Sequence, residues 1–225
     1  MNKIILSALI GLFLTSCAST GNFDYDPAKP IAEGYYPVEK TMMNIFINDD
    51  DRVEKDFIKG QKNEIRTIIT EKGQMIYNDN KVYASEMVVI RYTNDDEDYR
   101  DSSTHFYTLN PLTFKGFIGS YGDRFSKANQ FKPLPDYAKI GESEAFVTEN
   151  VYSDKEFTHK NKSYTQSWSL SKASENTAWF CIATIEENDI DPTYTECYEI
   201  DNQGHLLRFK DEFGVCQHSC HHLMN

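Results

Sequence analysis

From residue 65 onward, runs of β-branched and aromatic residues recur between turn signals, and this rhythm limits the fold more than any other feature. The runs are "IRTIITEKGQMIY", "KVYASEMVVIRYT", "THFYTLN", "LTFKGFIGSY", "EAFVTENVYS", "KSYTQSWSLS", "TAWFCIATIEE", "TYTECYEID" and "HLLRFKDEF". "NDN" at 78–80 and "DNQG" at 201–204 are the polar kind of punctuation that joins antiparallel strands, and Gly73 reads as a turn inside the first run. Short strands at a spacing of roughly 8–15 residues predict a mainly β chain, an antiparallel meander closed into a sandwich or half-barrel. Aromatic residues make up 13% of the chain, so a packed core is expected.

Two stretches break the rhythm. In "NIFINDDDRVEKDFIKGQKNEIRTII", Val53, Phe57, Ile65, Ile68 and Ile69 approach helical spacing behind aspartates, and Gly60 interrupts. One short helix near 51–59 is the reading this supports. "NQFKPLPDYAKIGE" has two prolines and little periodicity, which predicts a long loop and a sub-boundary near 128–142 between two β-rich halves.

The first residues concern location, not fold. Lys3 precedes an 11-residue apolar run from Ile4 to Leu14. That is about half of the roughly 20 residues a membrane-crossing helix needs, and it has the layout of a cleaved export signal. The run meets Leu14-Thr15-Ser16-Cys17. This resembles the lipobox of bacterial lipoproteins, a resemblance confined to the signal and Cys17. It implies that residues 1–16 are removed, that Cys17 carries a diacylglycerol thioether and that its new amine is acylated. Several acyl chains on one residue give stable anchoring, at about 0.8 kcal/mol per buried CH2. Ala18 stands where an aspartate would favour inner-membrane retention in the Gram-negative family, so the resemblance implies an outer-membrane protein facing the periplasm. Residues 17–36 then read as the lipidated tether and 37–225 as a β-rich periplasmic domain.

Lys3 is the one charged residue of the signal, so the mature 209 residues carry 22 basic and 35 acidic side chains, a net charge of −13. Such a chain repels nucleic acid and anionic headgroups, leaving the acyl chains as its membrane contact and an envelope protein as its expected partner.

Besides Cys17, four cysteines remain, all within the last 45 residues: Cys181, Cys197, Cys216 and Cys220. An even count in an oxidising compartment reads as disulfides. A hairpin about Asp189 sets Cys181 opposite Cys197, Phe180 opposite Tyr198 and Ala178 opposite Ile200, and directly opposed Cβ atoms lie about 4.5–5.5 Å apart. That register predicts a Cys181–Cys197 bridge, and sequence proximity predicts Cys216–Cys220. The tail "GVCQHSCHHLMN" also gathers His218, His221 and His222, which with or without the thiols are ligands suited to zinc or copper. One cluster does not supply the two separated ligand pairs of a structural zinc site, so a closed loop is the first reading, no cofactor is expected, and metal binding is the alternative.

No complete catalytic motif occurs. Ser120 in "GFIGSYGDRF" lacks the G-x-S-x-G spacing of a nucleophile elbow. His105 and His159 read as solvated surface histidines. "NDDDRVEKD" (48–56) and "NDDEDYRD" (94–101) lack the ligand spacing of a calcium loop and read as solvated loop tips. The expectation is therefore a non-enzymatic binding or scaffold module of the cell envelope. The alternatives are a half-barrel carrier of a lipophilic ligand or of lipoproteins, and an envelope metal-binding protein using the tail.

Overall fold

The structure is a computed structural model that describes residues 34–58, 61–120, 122, 124–189 and 194–212. The export segment, Cys17 and the tail cysteines and histidines lie outside the described residues.

The fold is an antiparallel β meander curled into a nearly closed half-barrel, with one helix. After a short strand β1 (Tyr35–Pro37) and the helix α1 (Val38–Phe46), the chain lays down β2 (Asp50–Ile58), β3 (Gln61–Tyr77), β4 (Asn80–Thr93), β5 (Asp96–Thr108) and β6 (Thr113–Gly119). Then come β7 (Phe125–Gln130), β8 (Tyr137–Lys139), β9 (Ser143–Tyr152), β10 (Lys160–Lys172), β11 (Ala178–Glu186), β12 (Tyr194–Ile200) and β13 (Leu206–Glu212). Eleven strands form one sheet in the order β13-β12-β11-β10-β9-β7-β6-β5-β4-β3-β2, and β8 leaves that order to pair with β1. The stretch read as a long loop thus contains β8, and the sheet passes from β7 to β9 without a break. Tyr35 and Tyr36, read as the end of the tether, are already in β1.

Local chemistry explains most of the hairpins. Asn78-Asp79 and Asn94-Asp95 all have positive φ, as the two-residue turns that match strand twist require. Gly73 is not a turn: it sits at φ +74° beside a one-residue bulge inside the continuous strand β3.

In place of the helix expected near 51–59, residues 51–58 lie in the strand β2, and the helix lies just before it at 38–46. The apolar spacing that suggested a helix is overridden by pairing with β3, where Lys55 stands directly opposite Glu64 and Arg66 binds Asp51 at 2.6 Å. In α1, Val38, Met42 and Ile45 recur at intervals of four and three, so they share one face, and all three are fully buried.

That face packs on the concave side of the sheet against Trp168, Leu170, Phe180, Ile182, Tyr198 and Ile200. Burying each such side chain contributes about 1.5–3 kcal/mol. Around the helix, polar contacts fix its position. The Val38 and Glu39 amides donate to the Asp136 and Pro135 carbonyls, both at 3.1 Å, which satisfies donors a helix start leaves open. Glu39 accepts from the Leu112 amide at 3.1 Å, Ser85 donates to the Phe46 carbonyl at 2.7 Å, and Asn44 donates to the Gly204 carbonyl at 2.9 Å. A second, smaller cluster, Tyr77, Val82, Ala84 and Phe106, is built around the Tyr77–Phe106 stack at 3.9 Å. Phe106 of this stack lies on β5, whose next residue, Tyr107, joins the main core, so this strand buries side chains on both faces.

Candidate functional site

The half-barrel has a seam. β2 and β13 are the two ends of the sheet, and among the described residues neither pairs with the other. Between them is a cleft of about 380 Å3, to which β2 contributes Arg52, Val53 and Glu54 and β13 contributes Leu206, Leu207 and Phe209. Arg52 braces its floor. Its guanidinium lies 5.4 Å from the ring centre of Tyr198 on β12, donates to the Ile45 carbonyl at 3.3 Å, and binds Asp50 at 2.9 Å. Among the described residues its Nε has no hydrogen-bond partner, and it stands 3.7 Å from Glu54. The seam is therefore held from below by an arginine and a helix, with no strand ladder across it. Two apolar side chains on its lips remain open to solvent, Val53 at 45% and Leu207 at 50%. Leu207 is the extra residue of a bulge in β13, since Arg208 faces Glu199 and Leu206 faces Ile200. Bulged, charge-bearing edges resist indiscriminate strand pairing.

A second cavity lies inside, where Phe46 at the end of α1 meets β5, β6, β9 and β10. It is about 80 Å3 and is lined by aromatic rings together with His105, Glu149 and Tyr164. Glu149 is buried. It accepts hydrogen bonds from Ser126 at 2.8 Å and from the Tyr164 hydroxyl. Burial raises its pKa, and these two hydrogen bonds pull the other way without cancelling it. Burial likewise raises Tyr164, and the neighbouring Glu149 charge adds to the effect. Ser126 in turn accepts from the Phe117 amide at 2.8 Å, so the network ties β7, β9 and β10 to β6.

His105 is not a solvated surface residue. Its ring lies 5.9 Å from both Phe46 and Phe117, its Nε2 is 2.7 Å from the Ser103 hydroxyl, and burial lowers its pKa to about 4. A polar-looking sequence neighbourhood misled here because alternate residues of a strand face opposite ways. A Ser–His contact suggests nucleophilic chemistry, yet an imidazole with so low a pKa is a poor base near neutrality. Ser120 donates to Asp101 at 2.8 Å, an acceptor that Arg124 also binds at 2.8 Å. His159 is exposed, bonded to Asp154.

The hairpin expected at 178–200 is present in the register read from the sequence, with Cys181 opposite Cys197, Phe180 opposite Tyr198 and Ala178 opposite Ile200. Cys181 and Cys197 form a disulfide with Cα atoms 4.0 Å apart. It lies on the face away from the core, since Phe180 and Tyr198 point inward. The acidic runs 48–56 and 94–101 are for the most part strand and not loop tips: residues 50–56 lie in β2, and 96–101 in β5 after the turn at Asn94-Asp95. Among the described residues no group of three or more histidine, cysteine, aspartate or glutamate side chains is arranged to hold a metal ion. Cys17, Cys216, Cys220, His218, His221 and His222 fall outside the described residues. No helix among those described is long and apolar enough to cross a membrane.

The seam was legible only in part. "DDRVEKDFI" carries the mixed charge typical of an edge strand, but its identity as an edge depends on how far the sheet curls. Glu149 and Tyr164 gave no motif at all, because they come together only through the β9–β10 register. No known protein family, curated protein or solved structure matches the chain.

Proposed function

We propose that this chain is a non-enzymatic binding or scaffold module of the cell envelope, anchored to the outer membrane through acyl chains on Cys17 and facing the periplasm, where it engages a protein partner. The anchor rests on "LTSC" after an 11-residue apolar run. The observation that carries the binding role is the filled interior. α1 buries Val38, Met42 and Ile45 in the hollow of the half-barrel, and the inner cavity of about 80 Å3 is far below the roughly 300–1,000 Å3 of a small-molecule site. Recognition then falls to the surface, where the seam offers a cleft of about 380 Å3.

The second reading, a carrier of a lipophilic ligand or of lipoproteins, draws its support from the half-barrel shape itself. It requires α1 to leave the hollow. The third, zinc or copper binding by the tail, rests on five potential ligands in seven residues.

The test is to crosslink the anchored protein in cells and identify what copurifies. A stoichiometric protein partner supports the module, a copurifying lipid supports the carrier, and metal retained by wild type but lost with deletion of 217–225 and Cys216→Ser supports the tail. Cys17→Ser is expected to release the protein from membranes, and mass spectrometry of the mature N-terminus reads the lipidation directly.

A further inference from the structure

We propose that the seam is a strand-addition site, in which an extended basic segment of a partner protein lies between β2 and β13, antiparallel to both, and completes a twelve-stranded barrel. The proposal rests on the binding-module reading and names the surface and the kind of partner.

Strand count is the first argument. Every neighbouring pair in the sheet is antiparallel, and there are eleven strands. Ten reversals bring the last strand back to the direction of the first, so β2 and β13 run the same way. Direct closure would need a parallel pair in an otherwise antiparallel sheet. One strand running against both satisfies the two open ladders at once, with the bond pattern already used throughout.

The dimensions agree. The cleft is flanked by residues 50 and 52–54 on one side and 205–209 on the other, about five residues each, which is the usual length of a strand. Added main-chain hydrogen bonds supply affinity in such complexes, and alternate side chains supply specificity. Side chains of the added strand that turn inward meet Tyr198, Phe209 and the Arg52 brace. Those that turn outward cover Val53 and Leu207, the exposed apolar residues on the two lips.

Charge selects the partner. Asp49, Asp50 and Glu54 line the cleft against Arg52 and Arg208. Arg52 lies between Asp50 and Glu54, and Arg208 is bound by a further carboxylate, Glu199, so carboxylates outnumber guanidiniums around the cleft. The whole chain carries a net −12. A segment alternating apolar residues with lysine or arginine is attracted by this field, and an acidic one is repelled.

The experiment selects a displayed library of random twelve-residue peptides on the detergent-solubilised mature protein, in parallel with the double variant Val53→Lys, Leu207→Lys, which removes both apolar lips and opposes a basic strand. Both positions are exposed, so the variant keeps its fold, which circular dichroism verifies. The expected result is enrichment of alternating apolar and basic sequences on wild type. A synthesised winner should bind at least tenfold more weakly to the double variant, at least tenfold more weakly when alternate backbone amides are methylated, and more weakly as salt rises. Enrichment of none, equal binding to both proteins, or indifference to amide methylation overturns the proposal. So does binding that appears only after residues 213–225 are deleted, which would assign the seam to the chain's own tail. Repeating the in-cell crosslinking with the double variant separates the two levels. The same partner captured by both proteins leaves the module standing and removes the seam, whereas no protein captured by wild type removes both.

Discussion

Gly204→Ala should loosen the contact between the plug helix and the seam end of the sheet, and the size of the effect follows from geometry. Gly204 closes the turn before β13 at φ +80°. An alanine Cβ there would lie 2.9 Å from Cγ of Pro37 and 3.0 Å from Oγ1 of Thr41, both at the start of α1. Neither is the free end of a flexible chain. Thr41 is pinned by its own bond to the Pro37 carbonyl. The left-handed backbone costs about 1–2 kcal/mol for a residue with a Cβ. Crowding a packed contact adds about 1–3 kcal/mol, and the stiffer unfolded chain returns about 0.4–1 kcal/mol. The net expectation is a loss of about 1–4.5 kcal/mol. Gly141→Ala is the control, because Gly141 has φ +95° but nothing within 4 Å of the new atom. It should lose at most about 1.5 kcal/mol, the backbone cost less the unfolded-state gain. Urea unfolding of the two variants side by side isolates the crowding. Agreement within about 0.5 kcal/mol would mean that α1 does not press on this turn, and the account of how the helix is seated would fail.

Three further outcomes are expected. Replacing Cys181 and Cys197 with serine should cost on the order of 3 kcal/mol for a closed loop of 16 residues' separation, and non-reducing peptide mapping that joined Cys181 to Cys216 or Cys220 would refute the pairing. Met42→Ala, in a fully buried position, should cost about 2–5 kcal/mol in urea unfolding, whereas a loss below about 1 kcal/mol would show that α1 is not packed as described. Burial raises the Glu149 pKa above its ordinary 4.5, so the protonated form favours the fold and that contribution fades as pH rises through the raised value. Wild type should therefore lose stability relative to Glu149→Gln on going from about pH 4 to pH 8. The His105 titration is common to both proteins and drops out of the difference, and parallel curves would contradict the assignment.

The strand hairpins and the Cys181–Cys197 register were readable because each depends on a local code, two polar residues in a turn and a count back from it. α1 was readable in principle from Val38, Met42 and Ile45, but the window after it offered more isoleucines and drew the helix to 51–59. β2 pairs with Glu64 and Arg66 across the hairpin, residues present in the same stretch of sequence but brought opposite Lys55 and Asp51 only when the chain folds back. β8 is three residues long and exists because β1 lies beside it. The seam and the Glu149 network are products of curvature and of pairing between distant segments, so neither leaves a linear motif. His105 shows the same limit at one residue: strand phase, not neighbouring polarity, decided that it faces inward.

The claim on which the functional account turns is that α1 fills the half-barrel, leaving recognition to the surface. Native mass spectrometry of the protein extracted gently from membranes measures this directly. The account predicts the mass of the acylated chain beginning at Cys17, with no lipid retained beyond the covalent acyl groups. One equivalent of noncovalent lipid, lost when the hollow is narrowed by Ala178→Leu, would contradict it and make the half-barrel a carrier.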